Sequence, residues 1–169
     1  MPKTKRNQVF EEWMDAHKAI MFKVARAYGA THADREDLFQ QIALQVWNSV
    51  EAFRGEAKVT TWIYQVALNT ALAWNRKERK HGWGRQELEA TTGLLIAPAE
   101  RDPRLEWIYE RIAELDVVSR SLALLLLDGF SYRDMSRILG LSESNVGVKI
   151  NRIKATLTAQ LAKESNDEL

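Results

Sequence analysis

The sequence contains no cysteine, only three prolines and only eight glycines, and these shortages exclude several classes of protein. Without cysteine, the 169-residue chain cannot form a disulfide framework, a thiolate zinc site or a cysteine nucleophile. Long apolar runs are also missing, because the longest, residues 122–127, is far shorter than the roughly 20 residues that a membrane-spanning helix requires. The N-terminus lacks the apolar core of a signal peptide. We therefore expect a cytoplasmic protein that has no membrane partner.

Aromatic residues and charge are abundant by comparison. Six Trp, five Phe and four Tyr, within a hydrophobic content of 46%, supply enough apolar area for a folded core. The formal net charge is only +1, but the charge is unevenly distributed. Residues 76–85 carry five cations and one acid, whereas residues 86–103 carry four acids and one cation. This segregation favours different partners for neighbouring segments, although a solvated face would give the same pattern.

Apolar residues recur three and four positions apart, which predicts helices and no strand. The first helix has an apolar stripe over residues 10–28 and is expected to end at Gly29 in the left-handed conformation. A second helix is predicted over residues 34–50, with Trp47 on its inward face. A third helix is expected to start near Thr60 or Thr61, where a hydroxyl can cap it, after a short polar loop.

Residues 82–103 break this pattern with three glycines and two prolines, which indicates a linker. Helices resume with Asp102 as N-cap and Pro103 as the first helical residue, and the next helix has Leu105 on its inward face. A further helix over residues 119–127 is apolar on most sides and should be central. The prediction is therefore an all-α fold of two small helical domains, residues 9–81 and 104–163, joined by a flexible linker over residues 82–103.

A helix-turn-helix is predicted near the C-terminus. Ser131 can cap a short helix, Gly140 falls in a turn of about three residues, and Ser142 can cap a last long helix that bears Val146, Val148, Ile150, Ile153 and Leu157. In this arrangement the second helix enters the major groove of DNA. Its polar and basic side chains could read base edges or neutralise phosphates. The spacing alone also fits a helical hairpin whose cations are merely solvated.

The C-terminal part resembles the second conserved domain of extracytoplasmic-function (ECF) sigma factors of bacterial RNA polymerase. The string over residues 129–142, continued by Asn145-Val146 and by residues 152–154, carries this resemblance. The N-terminal half resembles the promoter-melting domain of the same family in order and spacing, through residues 34–47, Phe53-Arg54-Gly55 and residues 61–70. Both resemblances together cover nearly the whole chain, apart from roughly the first eight residues, the linker and the acidic tail.

The resemblance implies a sigma factor that binds core polymerase, recognises the minus-thirty-five and minus-ten promoter elements and melts the promoter. The implied core-polymerase contacts are Asp34, Glu36, Asp37, Leu38, Gln40 and Gln41. The implied minus-ten contacts are Arg54, Lys58, Trp62, Asn69, Arg76, Lys77, Arg79 and Lys80. The implied minus-thirty-five contacts are Tyr132, Arg133, Ser142, Ser144, Asn145, Lys149, Arg152 and Lys154.

The partners implied are core RNA polymerase, promoter DNA and an anti-sigma factor or another regulator. No catalytic residue, cofactor or metal is expected, because the three histidines are scattered and no nucleophile elbow or phosphate-binding glycine loop is present. Two interpretations stay open at this point. Trp62 is either a core residue or a stacking platform, and the acidic linker either threads through the polymerase or serves as a spacer.

The sequence departs from the family pattern at two places. Gly147 stands in the recognition helix where many members have a cation, with a helix cost of about 1 kcal/mol. Asp116 follows Leu115 where members often have proline, and it can cap the next helix instead. The alternative function is a two-domain helix-turn-helix regulator that does not join polymerase, since the C-terminal motif alone fits both.

Overall fold

A computed structural model describes residues 1–81 and 102–167, apart from the side chains of Lys80 and His81. Within these ranges the chain is helical and has no strand, which confirms the all-α prediction. The helices are α1 (Lys3–Tyr28), α2 (His32–Ser49), α3 (Val59–His81), α4 (Pro103–Glu114), α5 (Val117–Leu127), α6 (Tyr132–Leu139) and α7 (Glu143–Asp167), and a 3₁₀ turn (Val50–Ala52) follows α2. The predicted linker lies outside the described residues except for Asp102 and Pro103.

The chain divides into two compact units, Met1–Asp102 and Pro103–Leu169. In the first unit, α1, α2 and α3 pack against one another in all three pairings. Its core is formed by side chains with 0 or 1% exposure on all three helices: Met21, Val24, Leu38, Ile42, Val46, Ile63, Tyr64, Ala67, Leu68 and Ala71. No helix in the described ranges combines the length and apolarity needed to cross a bilayer.

Gly29 ends α1, but the prediction of a left-handed conformation was wrong. Its backbone is extended, with φ of −79° and ψ of 122°. Glycine is needed here for a different reason, because a Cβ atom at this position would lie 2.6 Å from Cγ and 2.8 Å from the backbone nitrogen of Arg35. Arg35 Nε also donates to the Gly29 carbonyl oxygen over 3.0 Å. The absence of a side chain thus lets the start of α2 approach the end of α1.

The starts of α2 and α3 both precede the predicted positions. A capping box begins α2: Thr31 Oγ1 accepts from the Asp34 amide at 3.1 Å, and Asp34 Oδ2 accepts from the Thr31 amide at 3.3 Å. For α3, the first backbone bond runs from the Trp62 amide to the Lys58 carbonyl. Thr60 and Thr61 consequently lie inside the first turn of α3 rather than in front of it.

In the second unit, α5 is the central helix, as predicted, and it packs on both α4 and α7. Leu122, Leu124 and Leu125 of α5 are at most 2% exposed. Pro103 begins α4 as predicted, but Leu105 is 48% exposed, so its assignment to the inward face was wrong. The Gly129 residue after α5 has φ of 78°, a conformation that glycine adopts at little cost.

Candidate nucleic-acid and partner interfaces

The helix-turn-helix is formed by α6 and α7. Ser131 Oγ caps α6 by accepting from the Asp134 amide at 3.1 Å. Gly140 has the left-handed φ of 67° that the turn requires, and its amide donates to the Ser136 carbonyl over 2.9 Å. Ser142 Oγ then accepts from the Asn145 amide at 3.1 Å and caps α7. Three residues therefore separate the two helices, as predicted.

The outer face of α7 carries most of the predicted minus-thirty-five contacts. Val146, Ile150 and Ile153 are buried and fix the rotation of the helix. The predicted contacts on α7 and at its cap lie outside this buried stripe: Ser142, Ser144, Asn145, Arg152 and Lys154 are exposed, and Lys149 is half-buried. Val148 is 48% exposed, because it lies two residues from both Val146 and Ile150 and therefore on nearly the opposite side of the helix.

Tyr132 and Arg133 begin α6 and are both exposed. The Tyr132 ring lies over the recognition helix at Gly147, and its Cε2 atom would be 3.6 Å from a Cβ atom added there. This is an ordinary van der Waals distance, so Gly147 is not required by close packing. The ring nevertheless connects α6 with the exposed face of α7.

The resemblance also implies that residues 53–60 hold the minus-ten element, and we call this segment the minus-ten loop. It starts at Phe53, whose ring lies between two tryptophans. The Trp13 ring of α1 meets it edge-on with centroids 5.2 Å apart, and the Trp62 ring of α3 is tilted at 5.5 Å. Residues 54–58 follow and are all exposed, which includes Arg54 and Lys58. Gly55 has φ of 76° with open space around it. The loop is therefore anchored at its base and solvated along its length.

Trp62 is neither a fully buried core residue nor a free platform. Its indole N–H donates to Ser49 Oγ over 3.0 Å, which joins α3 to the end of α2, and the residue is half-buried. Farther along α3, Asn69, Arg76, Lys77 and Arg79 are exposed. The side chain of Lys80 lies outside the described residues.

The predicted core-polymerase contacts separate into exposed and structural groups. Asp37, Gln40 and Gln41 are exposed on α2. Glu36 is half-buried and contacts His32 Nε2 over 3.1 Å through its Oε1 atom. Asp34 is 6% exposed within the capping box, and Leu38 is 0% exposed in the core. Neither of these two side chains is available to a partner in this conformation.

A groove of about 520 Å³ extends the exposed α2 surface onto α3. Its walls include Asp37, Gln41 and Leu44 from α2 and Trp74 and Glu78 from α3. Leu44 is 55% exposed. Sequence reasoning missed Leu44, although its position seven residues after Asp37 places it on the same side of the helix. Trp74 and Glu78 join the surface through tertiary packing, which the sequence pattern does not reveal.

Among the described residues, no group of three or more acidic or histidine side chains could hold a metal ion. Exposed amide, hydroxyl and cationic side chains lie on α7 and exposed cations lie in the minus-ten loop, whereas α2 carries the exposed Asp37 with the exposed amides of Gln40 and Gln41. The first set is suited to nucleic acid and the second to a protein surface.

Comparison with known families identifies both units. Residues 13–81 match the model of Sigma-70 region 2, and residues 105–157 match that of Sigma-70 region 4. Among curated relatives, the ECF RNA polymerase sigma factor SigM of Mycobacterium tuberculosis is 24% identical over 90% of this chain and 76% of its own length. The chain belongs to the ECF sigma factors. The region 2 match distinguishes it from a helix-turn-helix regulator that does not join polymerase, so it is an RNA polymerase sigma factor.

Two solved sigma factors share the fold. CnrH of Cupriavidus metallidurans is 26% identical over 94% of this chain and 89% of its own length. The structure of CnrH in complex with the cytosolic domain of CnrY aligns over 93% of this chain and 90% of that one, with a TM-score of 0.65 at 22% identity. RpoE of Bartonella quintana, solved with the anti-sigma factor NepR, aligns over 92% and 98% with a TM-score of 0.70 at 18% identity. Because the sequence identities to these two structures are only 22% and 18%, the similarity shows a shared fold and no more.

Proposed function

We propose that this sigma factor binds core RNA polymerase and melts the minus-ten element with its first unit, and recognises the minus-thirty-five element with its second. The observation that carries this proposal is the pair of family matches in the order region 2 and region 4. Exposed polar and basic side chains in both units support it, because such groups can bind bases and phosphates. Its role is that of a transcription initiation factor rather than an enzyme, and its place of action is the cytoplasm, where the polymerase works.

The polymerase-binding surface in this proposal consists of Asp37, Gln40, Gln41 and Leu44 on α2. Trp74 and Glu78 of α3 complete it, since they form the opposite wall of the same groove. An exposed leucine among acids and amides offers an apolar centre with a polar rim, which is a common arrangement at protein interfaces. Asp34 and Leu38 are not proposed as direct contacts, because the Asp34 side chain is part of the capping box and the Leu38 side chain is buried in the core.

The minus-ten element is bound in this proposal by the loop and by α3. Arg54 and Lys58 lie in the exposed loop, and Asn69 follows on α3. Single-stranded DNA needs polar groups for base edges and cations for phosphates, and this surface provides both. Arg76, Lys77, Arg79 and Lys80 would contact the phosphates of the duplex just upstream, where charge acts independently of sequence.

The minus-thirty-five element is read in this proposal by the N-terminal turns of α7. Ser144 and Asn145 are assigned to base edges, and Lys149, Arg152 and Lys154 to phosphates. Tyr132, Arg133 and Ser142 lie beside the start of the same helix and are assigned to the flanking backbone. The Ser142 hydroxyl already caps α7 through the Asn145 amide, so it would reach a phosphate only as a donor.

A protein regulator is the fourth element of the proposal. RpoE was solved with an anti-sigma factor, and a regulator of this kind would act by covering the polymerase-binding surface on α2. The groove with its exposed Leu44 is the part of that surface best suited to such a partner.

Run-off transcription on a fragmented genomic library tests the function. Three reactions are compared: core polymerase alone, core with the native chain, and core with the Asp37→Lys variant. We expect new discrete start sites only with the native chain, and aligning the sequences upstream of them should reveal both promoter elements. If the native chain gives no new start sites and does not bind core polymerase, the proposed function is wrong.

A further inference from the structure

The first turns of α1 contact the segment that carries the minus-ten loop, although most of these residues lie outside the family match. That match begins at residue 13, whereas α1 begins at Lys3. The Arg6 guanidinium lies over the Trp47 ring, 3.4 Å from its centroid, and Arg6 Nη1 is 3.5 Å from Glu51 Oε1. The Trp47 indole N–H donates to Asn7 Oδ1 over 2.9 Å.

Seven residues farther along α1, Trp13 makes the second contact. A spacing of seven places Arg6 and Trp13 on the same side of the helix. Trp13 is 7% exposed and its ring meets the Phe53 ring edge-on. Glu51 lies in the 3₁₀ turn and Phe53 directly follows it, so the two contacts hold the last residues before the loop from one side.

On the far side of Phe53, Trp62 provides the matching support. Its ring packs on Phe53, and its N–H is fixed by Ser49. Residues 54–58 between these supports are exposed. The direction in which the loop leaves the helices is therefore set by the packing of Phe53 at its base. A misplacement of about 1 Å in a reacting or binding group can cost on the order of a hundredfold in rate.

We propose that Arg6, Asn7 and Trp13, which we term the α1 brace, position the minus-ten loop for promoter opening. The α1 brace does not contact DNA in this proposal; it acts through Trp47, Glu51 and Phe53. This inference rests on the proposed function, because the loop matters only if the chain opens promoters. It adds a requirement that the family match does not contain, since Arg6 and Asn7 precede that match.

The test compares transcription from two templates that carry one promoter found with the native chain. One template is fully paired, and the other has a mismatched, already open minus-ten region. The variants are Arg6→Met, which keeps the aliphatic stem, and Trp13→Leu. Trp13→Phe is the conservative variant that restores a ring edge, and Lys5→Met is the matched control, because it removes an exposed cation from the same helix.

We expect Arg6→Met and Trp13→Leu to lower transcription from the paired template by about tenfold and from the open template by less than about twofold. Trp13→Phe should recover most of the loss, and Lys5→Met should behave like the native chain on both templates. Affinity for core polymerase should stay unchanged for all four variants, since none of the substituted residues belongs to the polymerase-binding surface of α2 and α3.

Two results would overturn the inference. In the first, neither Arg6→Met nor Trp13→Leu affects the paired template. In the second, the losses are equal on both templates and core affinity falls, which would mean that these residues only maintain the fold. Arg6→Met keeps the test decisive if Trp13→Leu does not fold, because Arg6 lies at the edge of the unit. If no promoter is found with the native chain, the proposed function itself is wrong and the inference falls with it.

Discussion

The Asp116 carboxylate accepts hydrogen bonds from both the backbone amide and the hydroxyl of Ser119, at 3.0 and 2.7 Å. These bonds cap α5, the buried central helix of the second unit. The bond from the Ser119 amide is the main cause that lowers the pKa of Asp116 below its usual value of 3.8. Burial opposes this shift, while the Ser119 hydroxyl and the charge of Lys149 add to it. Asp116 is therefore the start signal for α5.

Replacing Asp116 should make the second unit less stable and change its response to acid. Because the folded pKa lies below the unfolded value, the carboxylate contributes its full stability above about pH 4 and loses it as the pH falls through the folded pKa. Asp116→Ala should cost about 1 kcal/mol at neutral pH. Asp116→Asn keeps an acceptor and should remove the acid dependence of this site. Denaturant unfolding followed by circular dichroism at several pH values measures both effects, and an Asp116→Ala chain as stable as the native one would refute the cap.

Gly147 and Gly140 should respond in opposite ways to alanine. Gly147→Ala places a methyl group at an ordinary 3.6 Å from the Tyr132 ring and removes a glycine from a helix. It should therefore stabilise the second unit by up to about 1 kcal/mol. Gly140→Ala should destabilise it by about 1 kcal/mol or more, because φ there is 67°. Thermal unfolding of the two variants checks this, and a destabilised Gly147→Ala would show that the Tyr132 ring cannot tolerate the methyl group.

Asp34 and Asp37 should separate stability from polymerase binding. Asp34→Ala breaks the capping box and should lower the free energy of unfolding by about 1 kcal/mol. Asp37→Lys changes only an exposed side chain and should leave stability within about 0.5 kcal/mol, while lowering affinity for core polymerase by at least about tenfold. Fluorescence titration with core polymerase measures the affinity, and Glu12→Lys is the control because it reverses an exposed charge on α1. Equal losses of affinity for Glu12→Lys and Asp37→Lys would mean that the effect comes from net charge and not from the position of Asp37.

Asn145 and Arg152 should contribute to promoter binding in different ways. Asn145→Ala removes a base-reading group and should relax discrimination at one position of the minus-thirty-five element by about 1–3 kcal/mol. Arg152→Ala removes a phosphate contact and should weaken all sequences evenly, reducing the salt-dependence slope by about 1. Binding of the polymerase complex to single-base promoter variants at several salt concentrations distinguishes the two. If Arg152→Ala lowered the affinity for some promoter sequences more than for others, Arg152 would contact base edges rather than phosphates.

The sequence predicted features that depend on neighbouring residues. The Asp116 and Ser142 caps, the three-residue turn that begins at Gly140 and the start of α4 at Pro103 all follow from local rules, and the structure confirms them. The apolar stripes placed most of the core correctly for the same reason. Leu105 belongs to the predicted apolar stripe of α4, but it lies near the start of the helix and is 48% exposed. The resemblance assigned Asp34 to the polymerase contacts, and the sequence did not reveal that its carboxylate accepts from the Thr31 amide.

The contacts that shape the candidate site could not be read from local patterns. Arg6 and Trp47 are far apart in the chain, and so are Trp13 and Phe53. Such pairs depend on how three helices pack, which periodicity does not specify. Gly29 shows the same limit, because its reason lies in the approach of Arg35 rather than in its own backbone angle.

In the proposed function, this chain enables core polymerase to open promoters. The most direct test is permanganate reactivity of thymines in the minus-ten region of a linear promoter, with core polymerase and without nucleotides. We predict strong reactivity on addition of the native chain, little with core alone, and a large loss with the Asp37→Lys variant. A native chain that binds core polymerase and promoter DNA but leaves those thymines unreactive would contradict the account.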